Sequence, residues 1–182
     1  YMFLSNSFYS WNNTSPVNTF NGSQYDCENA SDNQGTEIVF SGAFGGAIVS
    51  GNIYTFPSEA QVWAGFAYED TDLSPFSFPN GGTVTFTGSA LDADVDVVFK
   101  FEYQPYPNAD PSFSTAAVTV SGSDPTAYSV DIPAQPFDQT YSSILLFIET
   151  TDASIVLTDV IIYSNDSFNC PLLTIDSPSQ YG

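Results

Sequence analysis

Histidine and arginine are absent from this 182-residue chain, and lysine occurs once, at Lys100, against twenty-one Asp and Glu residues; the formal net charge is -20. Each shortage removes a class of function. Binding to a nucleic-acid duplex draws on Lys and Arg to neutralise phosphates, so a nucleic-acid partner is excluded. Attraction to anionic headgroups needs the same side chains. Without histidine there is no histidine-based serine or cysteine triad and no imidazole ligand for a transition metal. No apolar run reaches the length of about 18 residues that a membrane-spanning helix needs, so no membrane insertion is expected. Nor is there a charged-then-apolar leader; a start at Tyr1 instead of Met reads as removal of one and places the protein outside the cell, secreted or at its surface. Self-repulsion at this charge becomes tolerable in strong salt, where the Debye length falls to about 3 Å at 1 M, so a saline or marine setting fits. The partners left are neutral polysaccharides, divalent cations and further copies of the chain.

Cysteine is also scarce. Cys27 and Cys170 are the only two. Near opposite ends of an exported chain they favour a disulfide, the alternative being two unpaired buried thiols. Neither has a neighbouring Cys or His to suggest zinc. Gly45-Gly46 and Gly81-Gly82 lead into β runs and read as hairpin glycines, not as phosphate-cradling loops. Acidic pairs such as Asp70/Asp72 and Asp94/Asp96 follow from the abundance of carboxylates. A glycosidase needs two carboxyls at a set separation around a cleft, a geometry that sequence does not show; pairs this common are expected by chance, and the chain is read as non-catalytic.

What the chain has is aromatic and β-branched residues: 42% of it is hydrophobic and 16% aromatic, too much for a disordered acidic tail. Residues 1–35, rich in Asn, Ser, Tyr and Phe, read as an extended arm or irregular cap with a short strand near Met2–Phe8. Residues 168–182 form a C-terminal tail. Between them, over 36–167, short β runs alternate with Gly, Pro and Asp turns: Glu37–Phe40, Ala47–Ser50, Asn52–Phe56, Gln61–Tyr68, Gly82–Gly88, Asp94–Tyr103, Thr115–Ser121, Ala127–Ile132, Ser143–Thr150 and Ser154–Tyr163. With no sustained helical periodicity, this pattern predicts an all-β antiparallel β-sandwich of jelly-roll type.

The clearest run is Asp94–Tyr103. A period of two puts Val95, Val97, Phe99, Phe101 and Tyr103 in the core, and Asp94, Asp96, Val98, Lys100 and Glu102 in solvent. Tyr128, Val130 and Ile132 repeat the inward pattern, and Ile144, Leu146, Ile148 and Ile155 join the predicted core. Ile144–Ile148 and Ile155–Ile162 are apolar on both faces, so they are expected in central or covered strands. Asn-x-Ser/Thr sequons at Asn12, Asn13, Asn21, Asn29 and Asn165 are candidate glycosylation sites.

Three features invite function. Trp63 shares a face with Gln61 and Gly65 if Gln61–Tyr68 is one strand; it either lines a sugar-stacking groove beside the Gln61 amide or is an ordinary core residue. Tyr106 and Phe113 sit on the proline-held segment 104–113, either as recognition aromatics or packed on the sandwich edge. Trp11, in the arm, is a weaker aromatic candidate. Asp159 interrupts an apolar run and is either a cation ligand or an exposed strand position.

Several ordered segments carry a resemblance. Phe40-Ser-Gly-Ala-Phe-Gly-Gly-Ala-Ile-Val, Phe56-Pro-Ser-Glu-Ala-Gln-Val-Trp-Ala-Gly-Phe-Ala and Pro75-Phe-Ser-Phe-Pro-Asn-Gly-Gly-Thr-Val-Thr-Phe-Thr-Gly resemble carbohydrate-binding modules of the family 4/9 type, as appended to marine laminarinases. Tyr128-Ser-Val-Asp-Ile-Pro-Ala and Leu157-Thr-Asp-Val-Ile-Ile are similar to the closing strands of that group. The resemblance implies a β-jelly roll that binds a β-1,3-glucan or related glycan in a groove, with a structural calcium ion on the opposite side. It makes Trp63 a groove aromatic, Asp159 a calcium ligand and Glu37 a weaker second ligand. The rival expectation is a self-assembling subunit of an extracellular filament, sheath or surface layer, in which the arm donates a strand to a neighbour.

Overall fold

The computed structural model describes residues 35–70 and 74–165. Twelve strands run in order: β1 (Thr36–Glu37), β2 (Phe40–Phe44), β3 (Ile48–Ser50), β4 (Ile53–Phe56), β5 (Gly65–Tyr68), β6 (Gly82–Ala90), β7 (Val95–Glu102), β8 (Ser112–Ser114), β9 (Val118–Val120), β10 (Thr126–Ile132), β11 (Ser143–Ile148) and β12 (Ala153–Ser164). They make two six-stranded sheets. The first has the order β10-β6-β12-β4-β3 with β1 on β12, and the second β2-β5-β11-β7-β8 with β9 on β7. Every pairing is antiparallel. The chain crosses repeatedly between sheets, giving the expected sandwich. Among the described residues there is no helix, and so none long and apolar enough to cross a membrane.

The core lies between the inner faces and is largely aromatic. Tyr54 on β4 of the first sheet meets Phe40 and Phe66 of the second edge-on, at 6.3 and 5.0 Å between ring centroids. Phe86 on β6 meets Phe99 on β7 at 5.5 Å. Such ring pairs add about 0.5–1.5 kcal/mol each beyond the apolar area they bury. Val95, Val97, Phe99, Phe101, Val130, Ile132, Ile144, Leu146, Ile148 and Ile155 are all buried, as period two requires. Tyr128 is half-buried. Its ring stacks on Phe86 while its hydroxyl donates to the Ser121 carbonyl and accepts from the Ser121 N–H. The doubly apolar runs are central: β11 lies between β5 and β7, and β12 between β6 and β4.

Three expectations on these strands need correction. Tyr103 does not continue the core row; it follows the end of β7 and is 42% exposed. On the outer row of the same strand, Val98 and Glu102 are buried, because neighbouring strands flank β7 on both sides and Glu102 is tied into a polar cluster. The run Gln61–Tyr68 is a strand only from Gly65. Before it, Ala64 N–H donates to the Gln61 carbonyl and Gln61 N–H to the Gly45 carbonyl, which makes Gln61–Ala64 a turn. Alternation therefore fails there, and Val62, which a single strand through Gln61–Tyr68 would turn inward if Trp63 faced a groove, is 98% exposed.

Candidate functional site: an aromatic face and a loop hollow

The turn at Gln61–Ala64 decides where Trp63 goes. Its indole lies over Phe44 with centroids 6.3 Å apart and planes within 7° of parallel. Phe44 in turn meets Phe147 edge-on at 6.0 Å. Phe147 belongs to the outward row of β11, between the buried Leu146 and Ile148, so the three rings share the outer face of the second sheet. Glycine makes the cluster possible. A Cβ on Gly65 would come within 2.9 Å of the Phe44 ring and 3.0 Å of Phe147, and one on Gly45 (φ 67°) within 3.0 Å of the Trp63 indole and 2.7 Å of the Ala64 Cα. Trp63 keeps 59% of its surface exposed. It is a ring supported from below and open on one side.

Further along the face lies a charged pair. Lys100 donates from Nζ to Glu102 Oε1 at 2.8 Å, and Ser143 Oγ donates to Glu102 Oε2 at 3.2 Å. Leu145 stands opposite Lys100 in the register and Phe147 opposite Val98. The aromatic cluster and the ion pair therefore occupy adjacent rows of one surface. Near its other margin, Thr119 donates to Asp96 Oδ1 at 2.6 Å.

The predicted site residues are not brought together. Gln61 is exposed on the turn beside Trp63, without the strand alternation that would line the two up. Tyr106 is 89% exposed on the β7–β8 connection, at the opposite corner of the same sheet. Of the two readings of Phe113 the structure shows edge packing: it belongs to β8, pairs with Phe101 and stacks on it at 5.0 Å, and meets Tyr141 edge-on at 4.8 Å. It is partly buried and packs against the core at the sandwich edge. Phe44 and Phe147 were missed. Alternation against Ile144, Leu146 and Ile148 already turns Phe147 outward, but nothing in the sequence brings Phe44 beside it; that takes the pairing of β2 and β11 with β5.

Asp159 is exposed and has φ 53°, where β12 shifts register against β6 between Thr158 and Ile161. It is the extra residue of a β-bulge, and Asp tolerates this left-handed conformation better than a β-branched residue does. Its carboxylate accepts from Thr158 Oγ1 at 3.0 Å. Glu37 is exposed on β1, opposite Ile161. Two carboxylates supply at most four of the roughly six to eight oxygens calcium takes, and among the described residues no three His, Cys, Asp or Glu side chains gather. Asn165 is exposed, with its backbone N–H on the Gly81 carbonyl. Cys27, Cys170, Trp11, Asn12, Asn13, Asn21 and Asn29 lie outside the described residues.

No family model and no curated protein matches the chain. Among solved structures it is similar to the CBM22-1 xylan-binding domain of Paenibacillus barcinonensis Xyn10C, with 17% identity over 70% of this chain and 90% of that one, at a TM-score of 0.46. It is similar too to a family 29 carbohydrate-binding module from Piromyces equi, with 15% identity over 76% and 91% at a TM-score of 0.45. A family 4 module is 16% identical over 65% and 78%, at 0.44. The likeness is spread over several families of carbohydrate-binding module and does not single out the 4/9 type. At these scores it carries no argument about ligand, which rests on the site itself.

Proposed function

We propose that this protein is a non-catalytic binder of a neutral polysaccharide, with a laminarin-like β-1,3-glucan as the first candidate, and that Trp63 is its main contact. The observation that carries this reading is the Trp63 indole, more than half exposed yet stacked on Phe44. A pre-oriented ring loses little conformational freedom when the apolar face of a sugar covers it. A chain at -20 repels polyanions and favours an uncharged ligand. An extracellular, saline setting suits that charge, since salt screens it.

The test is calorimetry or affinity electrophoresis across laminarin, mixed-linkage glucan, xylan and chitin oligomers. At least one neutral glycan binds, with an affinity nearly independent of ionic strength, and Trp63→Ala weakens it at least tenfold, or about 1.4 kcal/mol. No binding in the whole panel overturns the reading. An affinity unchanged in Trp63→Ala overturns the site.

Calcium belongs to the same proposal as a structural ion between Asp159 and Glu37, with the remaining oxygens from backbone or water. One observation favours a second reading, assembly with further copies. Ile48 on the short edge strand β3 and Ile53 beside it on β4 are exposed apolar residues on the outer face of the first sheet. Size-exclusion chromatography in high salt separates the two readings: a monomer at high concentration removes assembly.

A further inference from the structure

The connection from β7 to β8 encloses an open hollow of about 580 Å³, lined by Tyr103, Gln104, Tyr106, Asn108, Asp110 and their neighbours. Its frame is held at several points. Tyr103 N–H donates to the carbonyls of Ala109 (3.0 Å) and Pro111 (3.1 Å), Asn108 N–H donates to the Pro105 carbonyl (3.2 Å), and Ser142 Oγ donates to the Tyr103 carbonyl (2.7 Å). The loop is thus bonded both to itself and to the segment entering β11. Asp110 is oriented by Ser112, whose hydroxyl donates to Asp110 Oδ1 at 3.1 Å. Ser112 pairs with Glu102, whose side chain belongs to the outer row of β7, so this wall of the hollow adjoins the outer face of the second sheet.

The lining has a definite chemistry. Two phenol rings supply flat faces, and the amides of Gln104 and Asn108 supply donors and acceptors uncommitted to other described residues. The single carboxylate accepts hydroxyl protons, and no cation is present to draw an anion. Aromatic faces with amides and one carboxylate match a ring that is apolar on its faces and hydroxylated on its rim. The geometry points to a second sugar site in this hollow, for one or two residues of a neutral glycan, separate from the Trp63 face.

The separation follows from the register. Phe44 pairs with Gly65, the register carries Gly65 level with Phe147, and Phe147 pairs with Val98. Tyr103 lies five residues past Val98 and three strands across from Phe44, so at about 3.4 Å per residue and 4.8 Å per strand the two places are on the order of 20 Å apart. A trisaccharide is too short to bridge that distance. Short oligosaccharides therefore fill the sites independently, whereas a longer chain reaches both and gains from the linkage. The inference rests on the proposed glycan binding only for its ligand class.

The experiment is calorimetry with laminaritriose, cellotriose, xylotriose and chitotriose, on wild type, Trp63→Ala, Tyr106→Ala and Asn108→Ala, with side-chain amide NMR resonances of Gln104 and Asn108 as a local readout. Tyr106 is almost wholly exposed, so its truncation leaves the fold intact. For at least one trisaccharide the wild type takes up two molecules per chain. Tyr106→Ala and Trp63→Ala each take up one, and the amide resonances shift in Trp63→Ala but not in Tyr106→Ala. A single binding event lost in Trp63→Ala and untouched by Tyr106→Ala and Asn108→Ala overturns the second site and leaves the proposed function standing. A single event lost only in the loop variants supports the hollow and overturns the Trp63 face. No binding of any probe overturns both.

Discussion

Lys100, the only cationic side chain in the sequence, donates to Glu102 at 2.8 Å, and Glu102 keeps only 5% of its surface exposed. Placed in the outward row of β7, this carboxylate is compatible with burial because Lys100 takes one oxygen and Ser143 the other. Replacing the partner leaves a desolvated acceptor. Lys100→Met is therefore expected to cost about 1–2 kcal/mol, below the range for a fully buried charged hydrogen bond because Lys100 itself is partly exposed. The double variant Lys100→Met/Glu102→Gln recovers most of that loss. Urea unfolding of the two variants at neutral pH checks it; a double variant no more stable than the single one contradicts the account.

Phe113 separates edge packing from ligand contact. Its ring sits between Phe101, Phe78 and Tyr141, so Phe113→Ala opens a cavity in the core. The expected loss is about 3 kcal/mol. Glycan affinity measured on the folded fraction stays unchanged. A soluble, fully stable Phe113→Ala with weakened binding would restore the ring to the ligand surface.

Tyr54 and Tyr141 set an alkaline limit. Burial raises both phenols above their ordinary 10.0, and for Tyr54 a backbone hydrogen bond with Phe40 offsets part of the rise. The folded state thus holds these protons more tightly than the unfolded state does. Their contribution is fully present below pH 10.0 and is lost as pH rises through the higher folded-state values. Thermal unfolding between pH 8 and 12 is expected to show a falling melting temperature above about pH 10, with a shallower fall in Tyr54→Phe. An equal fall in that variant would remove Tyr54 as a cause. Tyr141→Phe carries a separate penalty at neutral pH, because its single hydroxyl proton is shared between the side-chain oxygens of Gln139 (2.9 Å) and Gln135 (3.1 Å).

Calcium at Asp159 and Glu37 is tested against simple screening of the -20 charge. An ion that binds only the folded state stabilises it by about 2.7 kcal/mol at a hundred times its dissociation constant. Melting temperatures are compared in calcium and in magnesium at matched ionic strength, for wild type and Asp159→Asn. A calcium-specific rise lost in the variant supports the ion. Equal effects of both ions in both proteins reduce the effect to screening.

Composition and period-two alternation alone determined the fold class and most of the core. Val95, Val97, Phe99 and Phe101 face inward because a strand with one buried face must alternate, and that rule is local. Tertiary structure decided the exceptions. Asp159 looked like a lone carboxylate in an apolar strand. It is a bulge residue that inverts the alternation, so that Leu157 and Val160 both point inward, and hydropathy contains no sign of that inversion. Trp63 and Phe113 could not be assigned from the sequence for a related reason. Exposure depends on what another strand brings against a ring. Phe101 and Tyr141 close over Phe113, whereas Phe44 lies under only one face of Trp63 and leaves the indole open.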